Sequence, residues 1–160
     1  MKRSCWCQRP ADAKRHAGQF ALPGGRLDAG ETGAEAARRE LAEELGLTVR
    51  HDAVLGRLDD FVSRSGFRIR PVVLWSGGGP IVPEVGEVAR VFKVAFDELR
   101  SLAPTEQPSG DPARPLLSVL LKMGRVYAPT AAMIHQFCEV ALHGRSTRVH
   151  HYEQPPFAWR

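Results

Sequence analysis

Cysteine is scarce: three residues in 160, an odd number. That excludes a complete set of disulfide staples and predicts ordinary buried thiols. Cys5 and Cys7 form a Cys-x-Cys with no His or Cys partners nearby, so a zinc site is not expected. Long apolar runs are also missing. None approaches the roughly 20 residues of a membrane-spanning helix, so no membrane association is expected. The opening Met-Lys-Arg-Ser-Cys-Trp-Cys has no apolar stretch of the length a secretion leader requires, which predicts a cytoplasmic protein. There is no internal repeat and no low-complexity tract. What remains is 43% apolar and 25% charged, the make-up of an ordinary globular chain. The length suits a single domain, residues 1–160, with a full core.

The formal charge is +4. Bases crowd the start at Lys2, Arg3, Arg9, Lys14, Arg15 and Arg26, with a second group at Arg64, Arg68 and Arg70. Neither group is a run of consecutive bases of the kind found in nucleic-acid-binding tails. Their placement beside an acidic segment points to a small polyanion as partner and not to nucleic acid.

Two stretches read as loops: residues 76–84, with three consecutive glycines and two prolines, and residues 104–115, with four prolines. Strands are predicted over 67–75 (with Pro71 at an edge or bulge) and 88–96, with weaker candidates over 116–121 and 147–152. Two helices stand out. The first spans 33–45, with Thr32 and Glu35 as a capping box and Gly46 as its stop. The second spans 131–143, with Thr130 as cap and Gly144 as stop. Strands mixed with two helices predict an α/β or α+β sandwich.

On the first helix Glu40, Glu43 and Glu44 stand at i, i+3 and i+4 and share a face. Like charges at that spacing repel. The alternatives are a solvated acidic face balanced by Arg38 and Arg39, or a bound cation. Oxygen-only ligands select a hard ion, Mg2+ or Mn2+. Pro23-Gly24-Gly25 lies just upstream and lets backbone groups approach a phosphate or metal closely.

Gly25, Glu31, Arg39, Glu40, Leu41, Glu43, Glu44, Gly46 and Leu47 fit Gly-x5-Glu-x7-Arg-Glu-U-x-Glu-Glu-x-Gly-U, with U aliphatic. This resembles the box of the Nudix hydrolases at every fixed position. The resemblance implies a mixed sheet sandwiched between helices and divalent-metal-dependent cleavage of a nucleoside diphosphate linked to a moiety X. It implies that Glu40, Glu43 and Glu44 hold the metal, with the Gly25 carbonyl as a further ligand. Arg39 and Glu31 become the pair that orients the glutamates. The general base is either Glu40 or a later loop glutamate, for which Glu87, with Glu84 behind it, is the candidate. Metal charge and carboxylate proton acceptance then suffice for attack of water on phosphorus, with no covalent intermediate. Nudix domains also place a strand before the segment that begins here at Cys5. A sheet lacking that N-terminal strand would expose an edge, which a homodimer can cover.

Residues 9–25 are similar to the signature of coenzyme A pyrophosphatases, Leu-Leu-Thr-x-Arg-(Ser/Ala)-x3-Arg-x3-Gly-x3-Phe-Pro-Gly-Gly. Arg9, Gly18, Pro23, Gly24 and Gly25 match. Lys14 stands for the second Arg, Leu22 for Phe, Pro10 for Ser/Ala, and Cys5-Trp6-Cys7 for Leu-Leu-Thr. This implies coenzyme A or an acyl-coenzyme A as substrate, with Arg9, Lys14 and Arg15 meeting its phosphates. A nucleotide sugar or dinucleotide is the alternative substrate, and a nucleotide-binding module without activity is the non-enzymatic one. Trp6 and Trp159 are either core aromatics or platforms for adenine.

Overall fold

The computed structural model describes residues 2–12 and 18–158. They divide into two compact units: residues 5–57 with 72–93, and residues 2–4 and 58–71 with 94–158.

The first unit carries the acidic helix. Strand β1 (Arg3–Gln8) is the middle strand of a three-stranded sheet in the order β2-β1-β7, where β2 is Phe20–Ala21 and β7 is Arg90–Ala95. Strands β1 and β2 run antiparallel, with Cys7 opposite Ala21 and Gln8 opposite Phe20. Trp6 and Cys7 are both buried, so the centre of β1 is covered on both faces. Phe20 and Phe92 meet edge to face, with ring centroids 5.5 Å apart. Helix α1 (Gly33–Leu45) packs Leu41 and Leu45 into a core with Cys7, Leu47, Val49 and Val88. A second pair joins β3 (Val54–Arg57) to β6 (Val72–Leu74), with a bulge between Val54 and Gly56.

The second unit holds β4 (Phe61–Val62) paired with β5 (Arg68–Ile69), and a sheet of order β10-β9-β8. These last strands are Gly124–Tyr127, Leu116–Leu121 and Thr105–Gln107. Two short helices, α2 (Phe96–Arg100) and α3 (Thr130–Phe137), complete it. Phe61, Leu117, Ala128, Ala132, Val149 and Tyr152 form its core. The buried amide of Gln136 ties the unit together: its Oε1 accepts the Asp59 N–H at 3.1 Å, and its Nε2 donates to the Thr147 carbonyl at 2.9 Å.

Several expectations change. The strand read over 67–75 is two strands, broken at Arg70–Pro71, because Pro71 has no N–H for a ladder. Residues 104–115 are not wholly loop, since Thr105–Gln107 pairs antiparallel with β9. Residues 147–152 are not a strand. Val149 and Tyr152 are buried, which produces the apolar spacing, but the Tyr152 N–H turns back onto the Val149 carbonyl. In the second helix Thr130 is the first helical residue, not the cap; Pro129 takes that place without a side-chain bond. Beyond Phe137 the helix widens into a π turn, Cys138–Leu142, where the His143 N–H reaches the Cys138 carbonyl. Among the described residues the three cysteines are free, and no helix is long and apolar enough to cross a membrane.

Candidate active site

Helix α1 starts where Thr32 turns the chain. Its Oγ1 accepts the Glu35 N–H at 3.3 Å, and Glu35 Oε2 accepts the Thr32 N–H at 2.8 Å. The reciprocal bonds satisfy two otherwise orphaned donors. Gly46 ends the helix at φ 66°, a conformation that costs other residues about 1–2 kcal/mol. The loop leading into the helix lies against its acidic face. A Cβ on Gly25 would sit 2.0 Å from Glu40 Oε1, so this position has no room for any side chain while Glu40 stays where it is.

The three glutamates fall into different surroundings. The Glu43 side chain is 58% exposed and that of Glu40 only 12%. Both bond to one nitrogen of Arg39: Nη1 donates to Glu40 Oε1 at 2.8 Å and to Glu43 Oε2 at 2.9 Å. The same guanidinium grips Glu31 with two further bonds of 3.0 Å and donates to the Arg26 carbonyl at 2.9 Å. Hydrogen bonds from Arg39, and then from the Asp28 N–H, hold the Glu31 carboxyl below its ordinary range. Arg39 is pushed still higher, first by Glu31 and then by Glu40. Arg38 turns away and donates to the Val49 carbonyl at 3.0 Å, so it does not serve as a counterion to the acidic face.

Glu44 is only 6% exposed. Burial is the main cause that pushes its carboxyl up to about 7. The charges of Glu40 and Glu87 push the same way, against the Gly24 N–H and Arg9. The Nε of Arg9 is itself buried without a hydrogen-bond partner. Glu40, Glu87, Arg9 and the Gly24 backbone are therefore all close enough to act on Glu44.

The route by which Glu87 arrives was not readable from spacing. The Val82 N–H donates to the Leu45 carbonyl and the Glu84 N–H to the Glu44 carbonyl, each at 2.9 Å. These bonds dock the loop onto the last turn of α1. Glu87 and Val88 then fold back onto the Glu84 carbonyl at 3.1 and 2.8 Å. Glu84 Oε1 faces its own loop, accepting the Gly86 N–H at 3.4 Å.

Cys7 is a neighbour that sequence reasoning missed. Burial, with Glu44 as the second cause, raises its thiol to about 12, so it is a neutral, unreactive wall beside the carboxylate. Its only sequence signal was its reading as an ordinary buried thiol. Trp6 is wholly buried and offers no stacking face, which corrects the adenine-platform alternative. Lys14, Arg15, His16 and Trp159 lie outside the described residues.

Among the described residues no three His, Cys, Asp or Glu side chains are grouped ready to hold a metal ion. Arg39 holds Glu40 and Glu43 on its guanidinium. The chemistry nonetheless fits a hard divalent cation. The donors are all oxygen, Glu44 is a buried carboxylate short of positive charge, and Gly25 leaves its backbone bare beside Glu40.

A model of the NUDIX domain matches residues 1–117. The uncharacterized Nudix hydrolase NudL of Pectobacterium atrosepticum is 34% identical over 134 residues, covering 81% of this chain and 70% of that protein. Nudix hydrolase 3 of Caenorhabditis elegans is 32% identical over 97 residues, covering 58% of this chain but only 40% of its own length. A solved MutT/nudix family protein from Enterococcus faecalis superposes with a TM-score of 0.51 at 17% identity, over 78% of this chain and 43% of that one. The last likeness bears on the fold alone. With a family model spanning most of the residues and a relative at this identity along most of its length, the chain belongs to the Nudix hydrolase family.

Proposed function

We propose that this protein hydrolyses a phosphoanhydride bond in a nucleoside diphosphate derivative, with coenzyme A or an acyl-coenzyme A as the leading substrate. The products would be 3',5'-ADP and (acyl-)phosphopantetheine. The observation that carries the reading is the buried Glu44, crowded by Glu40 and Glu87 with little cation to offset it.

Glu40, Glu43 and Glu44, with the Gly25 carbonyl, would hold Mg2+ or Mn2+. When bound, the ion supplies charge to offset the diphosphate and to acidify water. The chain's own groups do the rest. Arg39, anchored by Glu31, sets the positions of Glu40 and Glu43. Glu87 or Glu40 accepts the proton of the attacking water. Arg9, whose charge acts on Glu44 and whose Nε has no hydrogen-bond partner, would meet a substrate phosphate, and Lys14 and Arg15 are assigned to the 3'-phosphate.

Mass spectrometry of the products from a substrate panel with Mg2+ tests this. Coenzyme A should be cut faster than its dephospho form, by roughly 10- to 150-fold in kcat/KM. Lys14→Ala should shrink that preference while cleavage of the dephospho form barely changes. Equal rates on the two compounds would remove the 3'-phosphate assignment. Turnover of a nucleotide sugar or dinucleotide alone would replace the substrate and keep the reaction class. Phosphate-ester binding without any cleavage would leave only a nucleotide-binding module.

A further inference from the structure

The last carbonyls of a helix have no further turn to bond them. At the end of α1 the Gly46 N–H reaches the Ala42 carbonyl at 2.9 Å and the Leu47 N–H the Leu41 carbonyl at 3.4 Å. The Glu44 and Leu45 carbonyls are met from elsewhere, by residues 80–84, Pro-Ile-Val-Pro-Glu. The two prolines fix φ and have no N–H, so this arm is stiff and carries only three backbone donors. Two of them go to α1: Val82 donates to the Leu45 carbonyl and Glu84 to the Glu44 carbonyl, each at 2.9 Å.

The seat is close-fitting. A Cβ on Gly46 would lie 3.1 Å from the Val82 carbonyl oxygen and 3.2 Å from Val82 Cβ, nearer than atoms pack at their optimum. The bare Cα of Gly46 thus serves the arm as well as the helix stop. Ile81 packs against the core that holds Leu45 and Leu47. Val82 itself is 67% exposed, so α1 holds its backbone and not its side chain. All these residues belong to the first unit.

Glu84 joins two acidic residues through its backbone. Its N–H lies on the Glu44 carbonyl, and its own carbonyl accepts the Glu87 N–H at 3.1 Å and the Val88 N–H at 2.8 Å. Glu87 therefore rides on a turn anchored to the backbone of Glu44, and its charge acts on the Glu44 carboxyl. A general base must lie within hydrogen-bond reach of the water it deprotonates, and a misplacement of about 1 Å can cost on the order of a hundredfold in rate.

We propose that residues 80–84 are a positioning device for the reaction: by capping the last turn of α1 they fix Glu87 beside Glu44. This rests on the reading of Glu87 as the general base. Val82 and Glu84 act through their backbone N–H groups and through Glu87.

Two substitutions at one exposed position test it. Val82→Pro removes the N–H that bonds the Leu45 carbonyl, and Val82→Ala keeps it. Amide exchange of the full chain should be slow at Glu84 in wild type and Val82→Ala, and faster by roughly tenfold or more in Val82→Pro. With Mg2+ and the best substrate of the panel, Val82→Pro should lower kcat roughly ten- to a hundredfold while KM moves by less than about twofold. Val82→Ala should turn over like wild type. In a Glu87→Gln background Val82→Pro should cost nothing more, because the arm acts through Glu87. Thermal midpoints separate lost positioning from lost folding. A merely structural arm would give the same fold-loss in both backgrounds, and that result would overturn the proposal. So would rapid exchange at Glu84 in wild type, or wild-type kcat in Val82→Pro once its Glu84 amide exchanges freely. Glu87→Gln turning over at the wild-type rate would remove the general-base reading itself; a protected Glu84 amide would then show that the chemistry had been misassigned and not the docking.

Discussion

Glu44 is the residue on which the proposed chemistry turns. Its ordinary carboxyl value of 4.5 is raised to about 7 in the folded chain. The folded state therefore holds this proton more tightly than the unfolded state. The stability linked to it is full below about pH 4.5 and is lost as pH rises through about 7. At about 1.4 kcal/mol per unit, the full loss is on the order of 3–4 kcal/mol. Metal-free Glu44→Gln should escape this loss, so its melting temperature should fall less than that of wild type between pH 5.5 and 8. Parallel melting curves across that window would show that the carboxylate is not strained. Metal affinity should move the opposite way and rise with pH, because the ligand must be ionised. Gly25→Ala probes the neighbouring contact. Its methyl has no room beside Glu40 Oε1, so Mg2+ affinity should drop, and an unchanged titration would mean that the loop yields freely.

At the scale of elements, α1 was legible nearly to the residue. The Thr32–Glu35 box and Gly46 act through local hydrogen bonds and backbone dihedrals, which short-range spacing encodes directly. Thr32→Ala should cost about 1 kcal/mol in urea unfolding. Its activity per folded molecule should persist, since Thr32 bonds to Glu35 and not to Glu40, Glu43 or Glu44. A neutral substitution would mean that tertiary packing alone holds the helix start. Elsewhere local signals lost to long-range ones. Residues 147–152 carry the apolar alternation of a strand because Val149 and Tyr152 fill the core, yet their backbone makes a turn. Strand β8 was hidden among prolines because its partner, β9, supplies the ladder. Strands β2, β4 and β5 have two residues each, too short for any periodicity to show. The docking of residues 82–88 onto α1 is made of backbone bonds, which no side-chain pattern announces.

For the whole molecule, the motif on α1 was readable because its carboxylates must recur at fixed spacing to share a face. The surroundings were not. Burial of Glu44 and the approach of Arg9 depend on segments far apart in the chain. Glu87 was named from its place before a strand, but its nearness to Glu44 comes from the fold. Divalent metal should couple to stability as a whole. At tenfold excess over Kd, Mg2+ should stabilise the chain by about 1.4 kcal/mol through mass action, with a matching rise in melting temperature. Glu44→Gln should abolish most of that rise, and an equal rise in wild type and variant would place the ion elsewhere.

Steady-state turnover of the best substrate with saturating Mg2+, wild type against Glu44→Gln, tests the metal-centre assignment most directly. The expected result is a hundredfold or greater loss of kcat/KM, about 3 kcal/mol of transition-state stabilisation, in a variant that melts no lower than metal-free wild type. Near-full activity in that variant would contradict the assignment of Glu44 to the reaction.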